Sequence, residues 1–61
     1  MNFDQYQAAA RFMSRGALGS FAAHIGDAYL CADAGNRERL RGSFAALFLR
    51  AYNFTLLPLE A

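Results

Sequence analysis

Glycine-marked breaks cut this 61-residue chain into three short segments with helical spacing, and each segment carries more apolar surface than so small a chain can hide. One domain is the upper limit at this length. A chain of this size buries only roughly 60% of the surface its unfolded form exposes, and such domains are marginal alone. Small scaffolds are normally reinforced by disulfides, a metal or oligomerisation. Cys31 is the single cysteine, so no disulfide can close within the chain, and a lone cysteine fits a reducing compartment. His24 is the single histidine, so no Cys/His cluster exists to hold a metal. Close helix packing and self-association are what remain.

Hydrophobic residues make up 56% of the chain against 18% charged, which excludes intrinsic disorder. The net charge of +1 is too small to announce a nucleic-acid partner. All six basic residues are Arg. Arg suits bidentate pairing and interfaces, although a GC-rich genome's codon habit produces the same bias. The start, Met1 to Gln5, lacks the basic and apolar regions of a secretory signal. Met1 is read as the start of a complete small open reading frame. The longest apolar run, Phe44 to Leu49, is far short of the ~20 residues of a membrane-spanning helix. The expected setting is the cytoplasm of a bacterial host.

Asn2 is suited to cap a first helix, and Gln5 three residues on completes a capping-box pattern. Phe3, Tyr6, Ala10 and Met13 then fall on one face, with Gly16 as the stop. A second helix is expected from about residue 17 to 33. Its apolar stripe includes Leu18, Phe21, Ala22, Ile25, Ala28 and Tyr29. Gly19 and Gly26 inside it each cost about 1 kcal/mol relative to Ala. Close approach of a neighbouring backbone would compensate. Gly35 ends this helix and Asn36 caps a third, over about residues 37–53, with Leu40, Phe44, Leu47, Phe48 and Ala51 toward the core. Arg37, Glu38, Arg41 and Arg50 are expected at more solvated positions. The tail from Phe54 to Ala61 carries Leu56, Leu57 and Leu59. Pro58 stops simple helix continuation, and so apolar a tail should dock on the bundle or on another molecule.

The central segment resembles a group of short, uncharacterised proteins of phages, prophages and plasmids. The shared pattern is Gly16-Ala17-Leu18, Ile25-Gly26-Asp27-Ala28-Tyr29, Ala32-Asp33, Asn36, Arg39-Leu40, Phe44 and Leu47-Phe48, about half of the chain. The resemblance implies a mobile-element accessory protein. Many phage proteins of this size bind and block a host component, anti-CRISPR and other anti-defence proteins among them. The first helix and the tail fall outside it.

Few residues offer chemistry. Ser20, His24, Asp27 and Cys31 share one helical face by their 3–4 spacing. His24 and Asp27 could act as a base and its orienter, but a modestly polar helix back is the plainer reading. Cys31 is expected to be a small buried hydrophobe. Arg37, Arg39 and Arg41, with Arg50 further along, form the one charge cluster. Arg37 and Arg41 share a face, Arg39 points elsewhere, and Glu38 partly neutralises the group. A helix-turn-helix is the competing reading, from the spacing of Ala22 and Gly26. Its recognition helix would begin near Ala28 without a base-reading side chain at its start. A membrane-surface helix over residues 44–59 would carry one basic residue where such anchors carry several.

These observations predict an all-α fold: one domain over residues 1–61, a small three-helix bundle with antiparallel neighbours, a docked apolar C-terminal tail and assembly as a dimer. The predicted function is non-enzymatic protein–protein binding to a host protein or complex, as in an anti-CRISPR-like inhibitor. A small DNA-binding regulator is the alternative. Binding is assigned to Arg37, Arg39, Arg41 and Arg50, and no catalytic residue, cofactor, metal or membrane partner is expected.

Overall fold

A computed structural model describes residues 1–56. The described chain is all-helical, with four helices: α1 (Phe3–Ser14), α2 (Ser20–Cys31), α3 (Ala34–Ser43) and α4 (Ala45–Thr55). The fold class follows the sequence. The helix count does not, because the third expected helix is two.

The entry to α1 is the capping box read from the sequence. The Gln5 backbone N–H donates to Asn2 Oδ1 at 2.9 Å, and the Asn2 N–H donates to Gln5 Oε1 at 2.8 Å. Two orphan donors of the first turn are thus satisfied reciprocally. Gly16 follows the end of α1 with φ +88°. That is the left-handed conformation in which a side chain is strained.

Gly19 is not inside α2. It precedes Ser20 as the N-cap with φ +99°, and a Cβ there would meet open space. The glycine serves the backbone of the turn, not a close packing contact, so α2 starts about three residues later than its apolar pattern suggests. The start of α3 also differs. Asp33, not Asn36, is the cap, its carboxylate accepting the Asn36 N–H at 2.8 Å. Asp and Asn are equally good caps, and the earlier one fits a helix that takes Gly35 into its first turn.

The break between α3 and α4 falls at Phe44, with φ −123° and ψ 35°. Gly42 and Ser43 precede it, a pair that weakens helix continuity. The turn redirects the chain so that Phe44 meets Phe21 edge-on, centroids 5.8 Å apart.

Helices α1 and α2 pack most extensively, α4 lies across α1, and α3 bridges α2 and α4 more lightly. Gly26 of α2 meets the α1 segment from Ala10 to Ser14, while Tyr29 reaches back to Tyr6. The two helices are therefore antiparallel, as short loops favour. The buried core is Ala9, Ala10, Met13, Ala22, Tyr29, Phe48 and Ala51. Tyr6, Tyr29 and Phe48 meet with centroids 5.1 to 6.3 Å apart, the range of favourable aromatic pairs. Several expected core residues are outside it. Phe3 is 53% exposed and Phe21 62%; Ala28 and Cys31 are exposed too. Cys31 is thus a surface thiol and not a small buried hydrophobe.

The tail was expected to dock on the bundle or on another molecule, and its described residues bear on the bundle alone. Phe54 and Thr55 complete the last turn of α4, and Phe54 stacks on Phe12 at 5.9 Å. Leu56 is 62% exposed, so it does not dock on the bundle. Leu57 and Leu59 lie outside the described residues.

Two glycines give opposite predictions. A Cβ on Gly26 would sit 2.5 Å from the Ala10 carbonyl oxygen and 2.8 Å from the Ser14 nitrogen, both backbone atoms. Gly26→Ala should therefore destabilise the fold, by about 1–3 kcal/mol, despite its better helix propensity. A Cβ on Gly42 would meet nothing within 4 Å. Gly42→Ala should stabilise α3 by up to about 1 kcal/mol. Urea denaturation of both variants checks the pair, and a gain in stability at Gly26 would refute the packing account.

Candidate binding surfaces

The four arginines assigned to binding do not converge. The structure brings Arg37 and Arg41 together, one turn apart on α3, and leaves Arg39 and Arg50 on separate surfaces.

Arg37 and Arg41 were expected in solvent, and both are instead partly buried. Their guanidinium groups lie over aromatic rings of α1 and α2. The Arg37 Cζ is 5.5 Å from the Phe3 centroid and 5.8 Å from that of Tyr29. The Arg41 Cζ is 5.3 Å from the Tyr6 centroid, and its Nη1 donates to the Tyr29 hydroxyl at 3.4 Å. The physical reason is that the long arginine stem covers apolar surface while the cation sits on the negative face of a ring. Arg37 Nε is buried without a partner, as is Gln7 Oε1 on α1. Neither guanidinium donates to a carboxylate among the described residues.

Arg39 is exposed and lines a depression between the end of α2 and α3, with Cys31, Asp33, Asn36 and Leu40. Glu38 is exposed beside it. Arg50 belongs to α4, its Cζ 5.9 Å from the Phe54 centroid. With Ala46, Leu49, Asn53 and Phe54 it borders a shallow, mostly apolar depression. Leu49 there is 51% exposed.

The polar back of α2 is where the sequence places it. Ser20, His24, Asp27 and Cys31 are all exposed, so that face gives a reaction no water-excluded setting. The Cys31 thiol points to its own helix, 3.5 Å from the Ala28 carbonyl oxygen. No group of three or more metal-ligating side chains occurs among the described residues, and none of the described helices is long and apolar enough to cross a membrane. The helix-turn-helix reading places its turn at Gly26, where α2 is an uninterrupted helix.

Sequence reasoning missed Phe3, Tyr6 and Tyr29 as the bed on which the two arginines rest. These contacts join residues far apart in the chain, and no local spacing announces them. The chain matches no known protein family, no curated protein and no solved structure.

The stacked and the free arginines should separate on substitution. Arg37→Gln and Arg41→Gln each remove a cation from a ring and a stem from an apolar surface. Each should lose about 0.5–2 kcal/mol of stability. Arg39→Gln should stay within about 0.5 kcal/mol of the parent protein. Chemical denaturation of the three variants gives the comparison, and equal effects at all three would contradict the stacked geometry.

Proposed function

We propose that this chain is a non-enzymatic accessory protein of a mobile genetic element. It works by protein–protein binding in the cytoplasm of a bacterial host, as an anti-CRISPR-like inhibitor of a defence complex, and it does so as a homodimer. The observation that carries this reading is the imbalance between inside and outside. The large side chains fully buried are Tyr29, Phe48 and Met13, while Phe3, Phe21, Leu49, Phe54 and Leu56 stay exposed. Where such surface is contiguous, as at Leu49 and Phe54 beside one shallow depression, it marks contact with another molecule. A second copy is the nearest source of cover, and a host protein is the second. The resemblance of residues 16–48 to phage, prophage and plasmid proteins supplies the setting.

Two measurements test the proposal separately. Light scattering at micromolar concentration should give twice the chain mass, and a monomer at every dilution would remove the dimer. Expression in a host with active CRISPR interference should raise the plaquing efficiency of a targeted phage. Unchanged plaquing across a panel of defence systems would remove the inhibitor. Sequence-selective DNA binding that weakens steeply with salt, without any protein partner, would favour the regulator instead.

A further inference from the structure

The aromatic bed under Arg37 and Arg41 does more than hold α3 to α1 and α2. We infer that the two guanidinium groups form a pre-set clamp for an acidic protein segment, one that presents two carboxylates one helical turn apart, at positions i and i+4. The inference rests on the protein-binding reading and names the chemistry of the partner.

An arginine carries several N–H donors in a planar fork and no acceptor. Among the described residues only one such donor of the two is engaged by another side chain, Arg41 Nη1 to the Tyr29 hydroxyl. Of the acids at α3, Asp33 is the cap and its carboxylate accepts the Asn36 N–H, while Glu38 is exposed and makes no hydrogen bond to either arginine among the described residues. Two cations one turn apart therefore stand side by side without a described counter-ion. Like charges so placed repel, and an anion that bridges them relieves the repulsion.

The second step is pre-organisation. A free arginine loses rotamer entropy when it binds. Here the rings of Phe3, Tyr6 and Tyr29 already fix both groups. Tyr29 is fully buried and Tyr6 stacks on it at 6.3 Å, so two of the three rings are anchored in the core. A planar fork held by its face keeps an edge for bidentate carboxylate bonds, which in Arg37 is the terminal Nη pair because its Nε is buried.

The third step chooses the class of anion. A nucleic-acid groove needs cations in series along a backbone. Arg39 faces a different depression, Glu38 is exposed between the two clamp arginines in sequence, and the chain's net charge is only +1. Beside Arg37 stands Phe3, more than half exposed. An exposed aromatic next to a fixed arginine is the composition of a protein-binding hot spot.

The test uses the whole wild-type chain and the NMR resonances of its arginine Nε–H groups. The probe is a helical peptide with glutamates at i and i+4, and the control is the same peptide with glutamines. The glutamate peptide should shift Arg37 and Arg41 saturably, leave Arg39 and Arg50 in place, and lose its effect on exchange to glutamine. The double variant R37K/R41K keeps both charges without the planar fork and should weaken binding at least about tenfold. Equal shifts at all four arginines, no shift at all, or shifts produced only by inorganic phosphate or a DNA duplex would overturn the clamp. Plaquing rescue that persists in R37K/R41K would overturn the clamp as the inhibitory contact while leaving the inhibitor reading intact.

Discussion

The fold is arranged around the place where the backbone of α2 at Gly26 lies directly on α1. Gly26 is buried, and the space its Cβ would need is filled by the Ala10 carbonyl oxygen, the Ser14 nitrogen and the Met13 Cβ. Two helix backbones in such contact bring their flanking side chains together as well. One turn along, Tyr29 is carried onto Tyr6 and Phe48. The alanines at 9, 10, 22 and 51 belong to the same geometry, since larger side chains there would hold the helices apart. A glycine in mid-helix is unfavourable by propensity. Its place here is explained by what packs on it.

Close approach has a consequence for the outside of the molecule. A core built from alanines is thin, and it encloses few large side chains. Aromatic and aliphatic residues elsewhere in the sequence have no interior to enter. Phe21 meets the edge of Phe44, and Phe54 lies against the face of Phe12 and under Arg50. Both keep an exposed side. The apolar excess that dominates the sequence is thus not a failure of packing. It follows from a helix pair that closes too tightly to swallow it.

Much of this was legible in the sequence. The capping box at Asn2 and Gln5 and the stop at Gly16 are local signals, carried by residues that act within one turn, and the structure matches both. Gly26 was readable as a close-approach site because a mid-helix glycine asks for a reason. Gly19 invited the same reasoning and answers to a different cause, a left-handed backbone at a helix entrance. Propensity alone does not separate the two. The division of the third helix at Phe44 was hidden because the apolar spacing runs on through it, while the Gly42-Ser43 pair that weakens the helix looks tolerable in isolation. Of the residues assigned to binding from the sequence, the shared face of Arg37 and Arg41 was visible from their i, i+4 spacing. Their seat on Phe3, Tyr6 and Tyr29 was not, because it depends on how α1, α2 and α3 meet.

That seat ties recognition to stability. The rings that hold Arg37 and Arg41 include Tyr29, which is fully buried and touches Phe48 at the centre of the core. A ligand that fixes the two guanidinium groups also fixes α3 against α1 and α2, the lightest joint in the bundle. Binding to the folded state alone raises its stability by mass action. In a chain of 61 residues with so small a core, that contribution is a large fraction of the few kcal/mol available, about 5–15 kcal/mol even in ordinary domains. Removing the charge and stem of either arginine therefore touches both the fold and the proposed clamp, so a loss of the proposed activity on such a substitution has two physical causes. Lysine in their place separates them: it retains charge and much of the stem, and gives up the planar fork.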